Sequence, residues 1–317
     1  MSTSVLRKRI IRLIVTLLAV SFLSFLLTSL LPGDPATTIL GAENISKEAV
    51  DCDHIGHVNA GCYVRWLGDA VTGDLGQSYT LSRPVSDLIG ARLPITLELV
   101  AVSLTIALLV SIPLGIYTAY KPNSPLAKFS SLITYAILSI PSFVIGILLI
   151  LFFAIKNDFL PAAGWVPLSE SVPQNLRRII LPAITLALPQ IAVLSRLLRG
   201  DMMATLDQDF VSFADSKGLS TRRILLGHAF RPSSFSLLTM AGTSVGYLMG
   251  GTLIVETQFN LPGMGTLALG AINSRDLVTV QGVTVFVATV FVVINFLVDV
   301  LYAVLDPRIR RNHGAAA

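Results

Sequence analysis

Six long apolar stretches constrain the fold of this chain more than any other feature of its sequence. They cover residues 10–31, 96–120, 130–155, 179–198, 235–255 and 281–305. A helix needs about 20 apolar residues to cross a bilayer, and lipid tolerates only backbones that satisfy their own hydrogen bonds. With 53% hydrophobic and 13% charged residues, the chain is too apolar for an ordinary soluble domain. The sequence therefore predicts an all-α, polytopic membrane protein with six transmembrane helices.

The distribution of Lys and Arg predicts the orientation of these helices. If the N-terminus is cytoplasmic, most of the 23 Lys and Arg residues lie inside, as the positive-inside rule requires. This placement also accounts for the net charge of +4 without any nucleic-acid partner. No small-residue cleavage site follows the first apolar stretch, which is therefore interpreted as an uncleaved anchor. We expect a multi-pass protein of the cytoplasmic (plasma) membrane with both termini inside.

The same topology divides the chain into four parts. Residues 1–31 form an N-terminal tail and the first helix, and residues 32–94 form an extracytoplasmic cap segment. Residues 95–305 form a five-helix core, and residues 306–317 form a cytoplasmic tail. Cys52 and Cys62 both fall in the outer segment, where a disulfide is possible. Two free thiols are the alternative.

A polar stretch, residues 209–233, interrupts the apolar pattern on the predicted cytoplasmic side. Phe210, Phe213, Ala214 and Lys217 recur at helical spacing, and Gly218 can adopt the left-handed conformation that ends a helix. Beyond Gly218, Ser220 is a candidate cap for a second helix.

This second helix is predicted to be amphipathic. Arg222, Arg223 and Arg231 make it basic, while Ile224, Leu225 and His228 give it an apolar side. Two short helices meeting at a glycine corner would offer a partner protein a compact docking element.

The chemistry of the chain argues against catalysis. It contains no Gly-Lys dipeptide, so the usual phosphate-binding loop for ATP is missing. Its histidines match no common metal-ligand spacing, and no nucleophile and base form a recognisable pair. We expect no catalytic residue, no metal site and no cofactor bound by this chain.

Polar side chains within the apolar stretches are candidates for lining a translocation path. The set consists of Gln190, Thr243, Ser244, Tyr247 and Asn295. Each of them could equally bond to a neighbouring helix. Gly242, Gly246 and Gly250 form a small-residue stripe that allows close helix contact, either within the chain or between subunits.

The polar stretch resembles the coupling loop of permease subunits of ATP-binding-cassette importers, whose pattern is Glu-Ala-Ala, three residues, then Gly. Gly218 matches the glycine and Ala214 the second alanine, whereas Ser212 and Phe213 replace the glutamate and the first alanine. This version is similar to the loop of dipeptide and oligopeptide permeases. Further stretches that look like the B-type permease of the peptide and nickel group are residues 31–35, 73–78, 255–265 and 305–308.

The resemblance implies a type I importer permease fold and a set of partners. These are a homologous C-type permease subunit, two cytoplasmic ATPase subunits or domains that use ATP and Mg²⁺, an extracytoplasmic substrate-binding protein, and membrane lipid. The residues that it implies for ATPase coupling are Phe210, Phe213, Ala214, Lys217, Gly218, Arg222, Arg223 and His228.

The expected function is that of half the path of an ATP-driven peptide importer. Nickel or glutathione is the alternative cargo within the same family. A gradient-driven transporter is disfavoured because the apolar stretches lack paired charges, and a membrane scaffold or sensor is a third class.

Overall fold

The computed structural model describes residues 3–30 and 60–305, and their regular structure is helical, with a single isolated β-bridge between Gln77 and Pro84. In chain order the helices are α1 Thr3–Leu30, α2 Ala60–Thr72, α3 Val85–Tyr120, α4 Pro125–Ser139, α5 Ser142–Leu149, α6 Val172–Leu206, α7 Asp209–Ser216, α8 Thr221–Arg223, α9 Phe230–Gln258, α10 Met264–Asn273 and α11 Leu277–Leu305. The π-helical stretch Ile150–Lys156 extends α5, and a second, Ile224–Ala229, joins α8 to α9. The all-α prediction is confirmed for this part of the chain.

Four helical segments are long and apolar enough to cross a membrane. They are Val85–Tyr120, Val172–Leu206, Thr221–Gln258 and Leu277–Val298. Within α1 the apolar part, Ile10–Leu26, is shorter than a full span. The predicted count of six transmembrane helices and the orientation of the termini therefore stay predictions.

The third predicted span, residues 130–155, is not one continuous helix. It breaks between α4 and α5, and the two halves, Pro125–Ser139 and Ser142–Lys156, are bent by 107°. Ile140, which precedes Pro141, has φ −102° and ψ 128°. A proline disfavours helical geometry in the preceding residue, which explains the break. Helix α6, in contrast, continues through Pro182 and Pro189.

The chain separates into two compact units. Of the described residues, the first contains Glu98–Phe259 and the end of α11 from Ile294 to Leu305. Its core lies where α3, α6 and the start of α9 meet, and its buried members include Ala107, Leu194, Leu198, Met202 and Leu237. Helix α6 packs against α4, α5 and α9, so it is the central element of this unit.

The second unit contains residues 3–30, 60–97 and Asn260–Val293 among those that the structure describes. Its core is formed by Val85, Leu88 and Ile89 with Met264, Leu267 and Val283. The backbone N–H of Met264 donates to Thr96 Oγ1 at 2.9 Å, which fixes the start of α10.

Asp276 caps α11 in the same unit. It accepts hydrogen bonds from the Thr279 backbone N–H at 3.2 Å and from Thr279 Oγ1 at 2.9 Å, and Ser78 Oγ also donates to it. All three side chains are buried. This network ties the segment before α3 to the beginning of α11.

Candidate functional site

Helix α7 ends in the glycine turn that its sequence predicts. Gly218 has φ +74°, and its N–H donates to the carbonyl of Asp215 at 2.8 Å. The N–H of Leu219 donates to the carbonyl of Ala214 at 3.4 Å. This pair of bonds is the Schellman arrangement, which requires a left-handed residue just beyond the helix and therefore favours glycine. The corner is consequently determined by local backbone chemistry.

Helix α7 has one buried and one exposed face. Val211 and Ala214 are buried, whereas Phe210 and Phe213 are exposed, Phe213 by 61%. The ammonium of Lys217 lies 4.4 Å from the centroid of the Phe213 ring, a cation–π contact that orients both side chains. Two adjacent exposed phenylalanines on an eight-residue helix form an apolar surface that a partner could cover.

The segment beyond Gly218 exposes basic side chains and buries apolar ones. Ser220 precedes α8, where its carbonyl accepts from the N–H groups of Arg223 and Ile224, although its side chain makes no capping bond. Ile224 is buried and His228 is half-buried. Both Arg222 and Arg223 are exposed. The second predicted helix is therefore one short α-helical turn that continues as a π-helix.

The polar segment is firmly attached to the two long helices that flank it. Helix α7 packs on the π-helical stretch Ile224–Ala229, which in turn packs on α9. Thr205, at the end of α6, and Ser233, at the start of α9, bring their hydroxyl oxygens to 3.1 Å. Leu206 and Leu225 pack against the buried cluster around Met202 and Ala229. Helix α7 thus contacts both the end of α6 and the π-helical stretch that leads into α9.

In the part of the chain that the structure describes, the five candidate path residues lie on three helices, α6, α9 and α11. Gln190 and Ser244 are buried, and Ser244 Oγ donates to the Met240 carbonyl at 2.8 Å. Thr243 Oγ1 donates to the same carbonyl at 2.9 Å. Tyr247 is exposed and Asn295 is half-buried, with a bonding partner. Their role in a path stays a prediction.

Cys52 lies outside the described residues, and for Cys62 only the helical backbone is described. The possible disulfide between them therefore stays a prediction as well.

Sequence reasoning missed a polar cavity beside the end of α6. It is lined by Arg196 and Arg199 together with hydroxyl side chains of α3 and α4. Two arginines at a spacing of three residues, following an apolar stretch, are the signal in the sequence that could have indicated it. Apart from Ser195, the hydroxyl residues come from other helices, so their proximity could not be read from spacing.

Comparison with known proteins identifies the relatives of this chain. Residues 111–311 match the family described as binding-protein-dependent transport system inner membrane component. A putative peptide transport system permease protein of Brucella melitensis is 40% identical and covers 98% of this chain and 99% of its own. The oligopeptide transport system permease protein AppB of Bacillus subtilis is 33% identical, over 95% of this chain and 98% of its own.

A solved structure shares the fold. The crystal structure of an amino acid ABC transporter with histidines superposes with a TM-score of 0.51 at 15% identity. The match covers 70% of this chain and 94% of the transporter chain.

Proposed function

The chain belongs to the family of binding-protein-dependent transport system inner membrane components, and from this premise we propose that it is a permease subunit of an ATP-driven peptide importer. Relatives named as peptide and oligopeptide permeases align over nearly the whole chain and support peptides as the cargo. The chain itself hydrolyses no ATP in this proposal. It forms half of the path, and a homologous permease subunit forms the other half.

The main support for the proposal is the pair Phe210 and Phe213. Both are exposed on α7, which lies between the two long helices α6 and α9. A cytoplasmic ATPase subunit would cover these rings and hold α7 in a groove. Closure of two ATPases on ATP would then displace α7, and the contacts of α7 with the π-helical stretch Ile224–Ala229 would pass that displacement to α6 and α9. In this way the access of the path alternates between the two sides of the membrane.

We further propose the membrane topology of the chain and its partner proteins. Six transmembrane helices with both termini in the cytoplasm place α7 on the side where ATP is available. An extracytoplasmic binding protein would deliver the peptide to the opposite side. ATP and Mg²⁺ would be bound only by the ATPase partners.

Replacing Phe213 with aspartate tests the coupling role. Aromatic anchors at the centre of an interface contribute about 2 kcal/mol or more, so Phe213→Asp should weaken ATPase docking about 30-fold or more. Phe159→Asp is a matched control, because Phe159 is exposed to nearly the same extent, 62% against 61%, but lies outside the polar segment. The readouts are peptide uptake into proteoliposomes that contain the complete transporter, and ATP hydrolysis in the same vesicles.

We expect Phe213→Asp to abolish uptake and the stimulation of hydrolysis by the peptide-loaded binding protein, while Phe159→Asp retains both. Normal uptake by Phe213→Asp would refute the coupling assignment. Uptake that persists without ATP and depends on an ion gradient would refute the importer as a whole.

A further inference from the structure

A small cavity in the first unit lies between α3, α4 and α6. Its volume is about 60 Å³, and Thr118 of α3 and Ser195 of α6 contribute to its wall. Thr118 lies two residues before the end of α3 at Tyr120, and the lining residues of α4, which begins at Pro125, lie in its middle and second half. Lys121 and Lys128 lie between Thr118 and these residues in the sequence. The cavity therefore lies towards the end of the unit that is predicted to face the cytoplasm.

The cavity has positive charge that the described residues do not neutralise. Arg196 and Arg199 both line it, one helical turn apart on α6. Arg199 Nη1 donates to Ser131 Oγ at 2.9 Å, which leaves its other N–H groups available. Among the described residues, no carboxylate forms an ion pair with either arginine. Arg196 is exposed and Arg199 is half-buried, so both guanidinium groups are available to an anion that enters the cavity.

Hydroxyl groups complete the set of donors. Ser131 Oγ already donates to the Ala127 carbonyl at 2.9 Å, so it can only accept a further bond. Thr134, in contrast, is only 7% exposed, lines the cavity, and forms no hydrogen bond with another described residue. Its hydroxyl oxygen is accessible from the cavity, so it can bond to water or to a ligand there. Ser130 and Tyr135 add two further hydroxyls to the wall.

The size of the cavity limits the anion. A water molecule needs roughly 10–15 Å³ of such a volume, so 60 Å³ holds a few waters or one tetrahedral oxyanion. A peptide does not fit in this space.

Helix α4, which supplies most of the hydroxyl groups of the cavity, also has an exposed apolar surface. Phe129, Leu132 and Tyr135 of α4 are all exposed, and Tyr135 also lines the cavity. A ligand that combines a phosphate with hydrocarbon chains would match both the cavity and this surface. We propose that Arg196, Arg199 and Thr134 form a binding site for a phosphate oxyanion, and that an anionic phospholipid of the inner leaflet supplies it. Basic pockets between transmembrane helices bind lipid headgroups in this manner.

Lipid binding to the purified full chain tests the proposal. The protein is held in dodecyl maltoside micelles with dioleoyl phosphatidylglycerol as the probe, and native mass spectrometry measures the affinity. Arg196→Gln and Arg199→Gln should each weaken binding about fivefold. Thr134→Val, which keeps the shape of the side chain, should weaken it about threefold. Arg231→Gln is the matched control, because Arg231 is exposed and does not line the cavity.

A second variant tests the charge of Arg199 separately from its hydrogen bond to Ser131. Ser131→Ala removes the bond to Arg199 and retains both arginines, so we expect it to bind the lipid with nearly unchanged affinity. Dioleoyl phosphatidylcholine, which has no net charge, should bind more weakly than the anionic lipid.

Inorganic phosphate distinguishes the two sources of the anion. If phosphate alone binds the chain and depends on both arginines, while phosphatidylglycerol binds no better than phosphatidylcholine, then the anion site is supported and the lipid source is overturned. Equal binding of phosphatidylglycerol by all variants, including Arg231→Gln, would overturn the site itself.

Discussion

Gly242 allows α9 and α11 to approach each other, and an added methyl group there should force them apart. A Cβ atom on Gly242 would lie 3.0 Å from Val298 Cγ1 and 3.3 Å from Val298 Cβ, and closer still to Val298 Cγ2. Rotation about χ1 does not move Val298 Cβ, and a helical valine strongly prefers one rotamer. The clash can therefore be relieved only by moving a helix.

The expected change in the free energy of unfolding follows from two opposing effects. Overpacking of a well-packed contact costs about 1–3 kcal/mol. Alanine gains about 0.5–1 kcal/mol over glycine within a helix because it restricts the unfolded backbone. We therefore expect Gly242→Ala to lower the free energy of unfolding by about 1–2 kcal/mol. Gly250→Ala, on the same helix, has no atom within 4 Å of its added Cβ and should be neutral or stabilising.

A double-mutant cycle in mixed micelles checks the cause. The free energy of unfolding is measured by titration with dodecyl sulfate and followed by circular dichroism. Val298→Ala should remove most of the penalty of Gly242→Ala, which gives a coupling energy of about 1–2 kcal/mol. Identical effects of the alanine substitutions at Gly242 and Gly250, or a coupling energy near zero, would refute the reasoning.

Two further predictions concern the glycine corner and the cap of α11. Gly218→Ala places a side chain at φ +74°, which costs about 1 kcal/mol, so hydrogen exchange of the amides at the end of α7 should accelerate about fivefold. The control Gly200→Ala, in an open helical position, should not accelerate this exchange. Equal exchange rates in the two variants would contradict the prediction. Asp276→Ala removes the cap of α11 and the acceptor for Ser78 and Thr279. The free energy of unfolding, measured by thermal unfolding, should therefore fall by about 2–4 kcal/mol. Asp276→Asn keeps an acceptor and should lose clearly less, and equal losses would show that the hydrogen bonds are not the cause.

The parts of the structure that could be predicted are those that local sequence controls. The long apolar stretches predict helical structure, because a helix satisfies all its backbone hydrogen bonds within its own segment. The end of α7 depends on Gly218 alone, since few other residues adopt φ +74° at low cost. These features required no knowledge of distant residues.

The sequence indicates where the bend between α4 and α5 lies but not that the helix breaks there. Pro141 marks the position of a distortion, but Pro182 and Pro189 have the same local effect and leave α6 continuous. Helix α6 is buried on several sides by α4, α5 and α9, whereas both helices next to the break expose many apolar residues. Packing against neighbours, which spacing does not reveal, determines which proline breaks a helix.

The sequence by itself determined the class of protein, the polar segment between two apolar helices, and the glycine at its corner, because each depends on residues close together in the chain. Only the tertiary structure decided that Gly242 contacts Val298 within the same chain. It alone brought Arg199 to the hydroxyl of Ser131 and left Thr134 facing a cavity. These pairs are separated by tens of residues, so their distances depend on how the helices pack and not on the periodicity of any one helix.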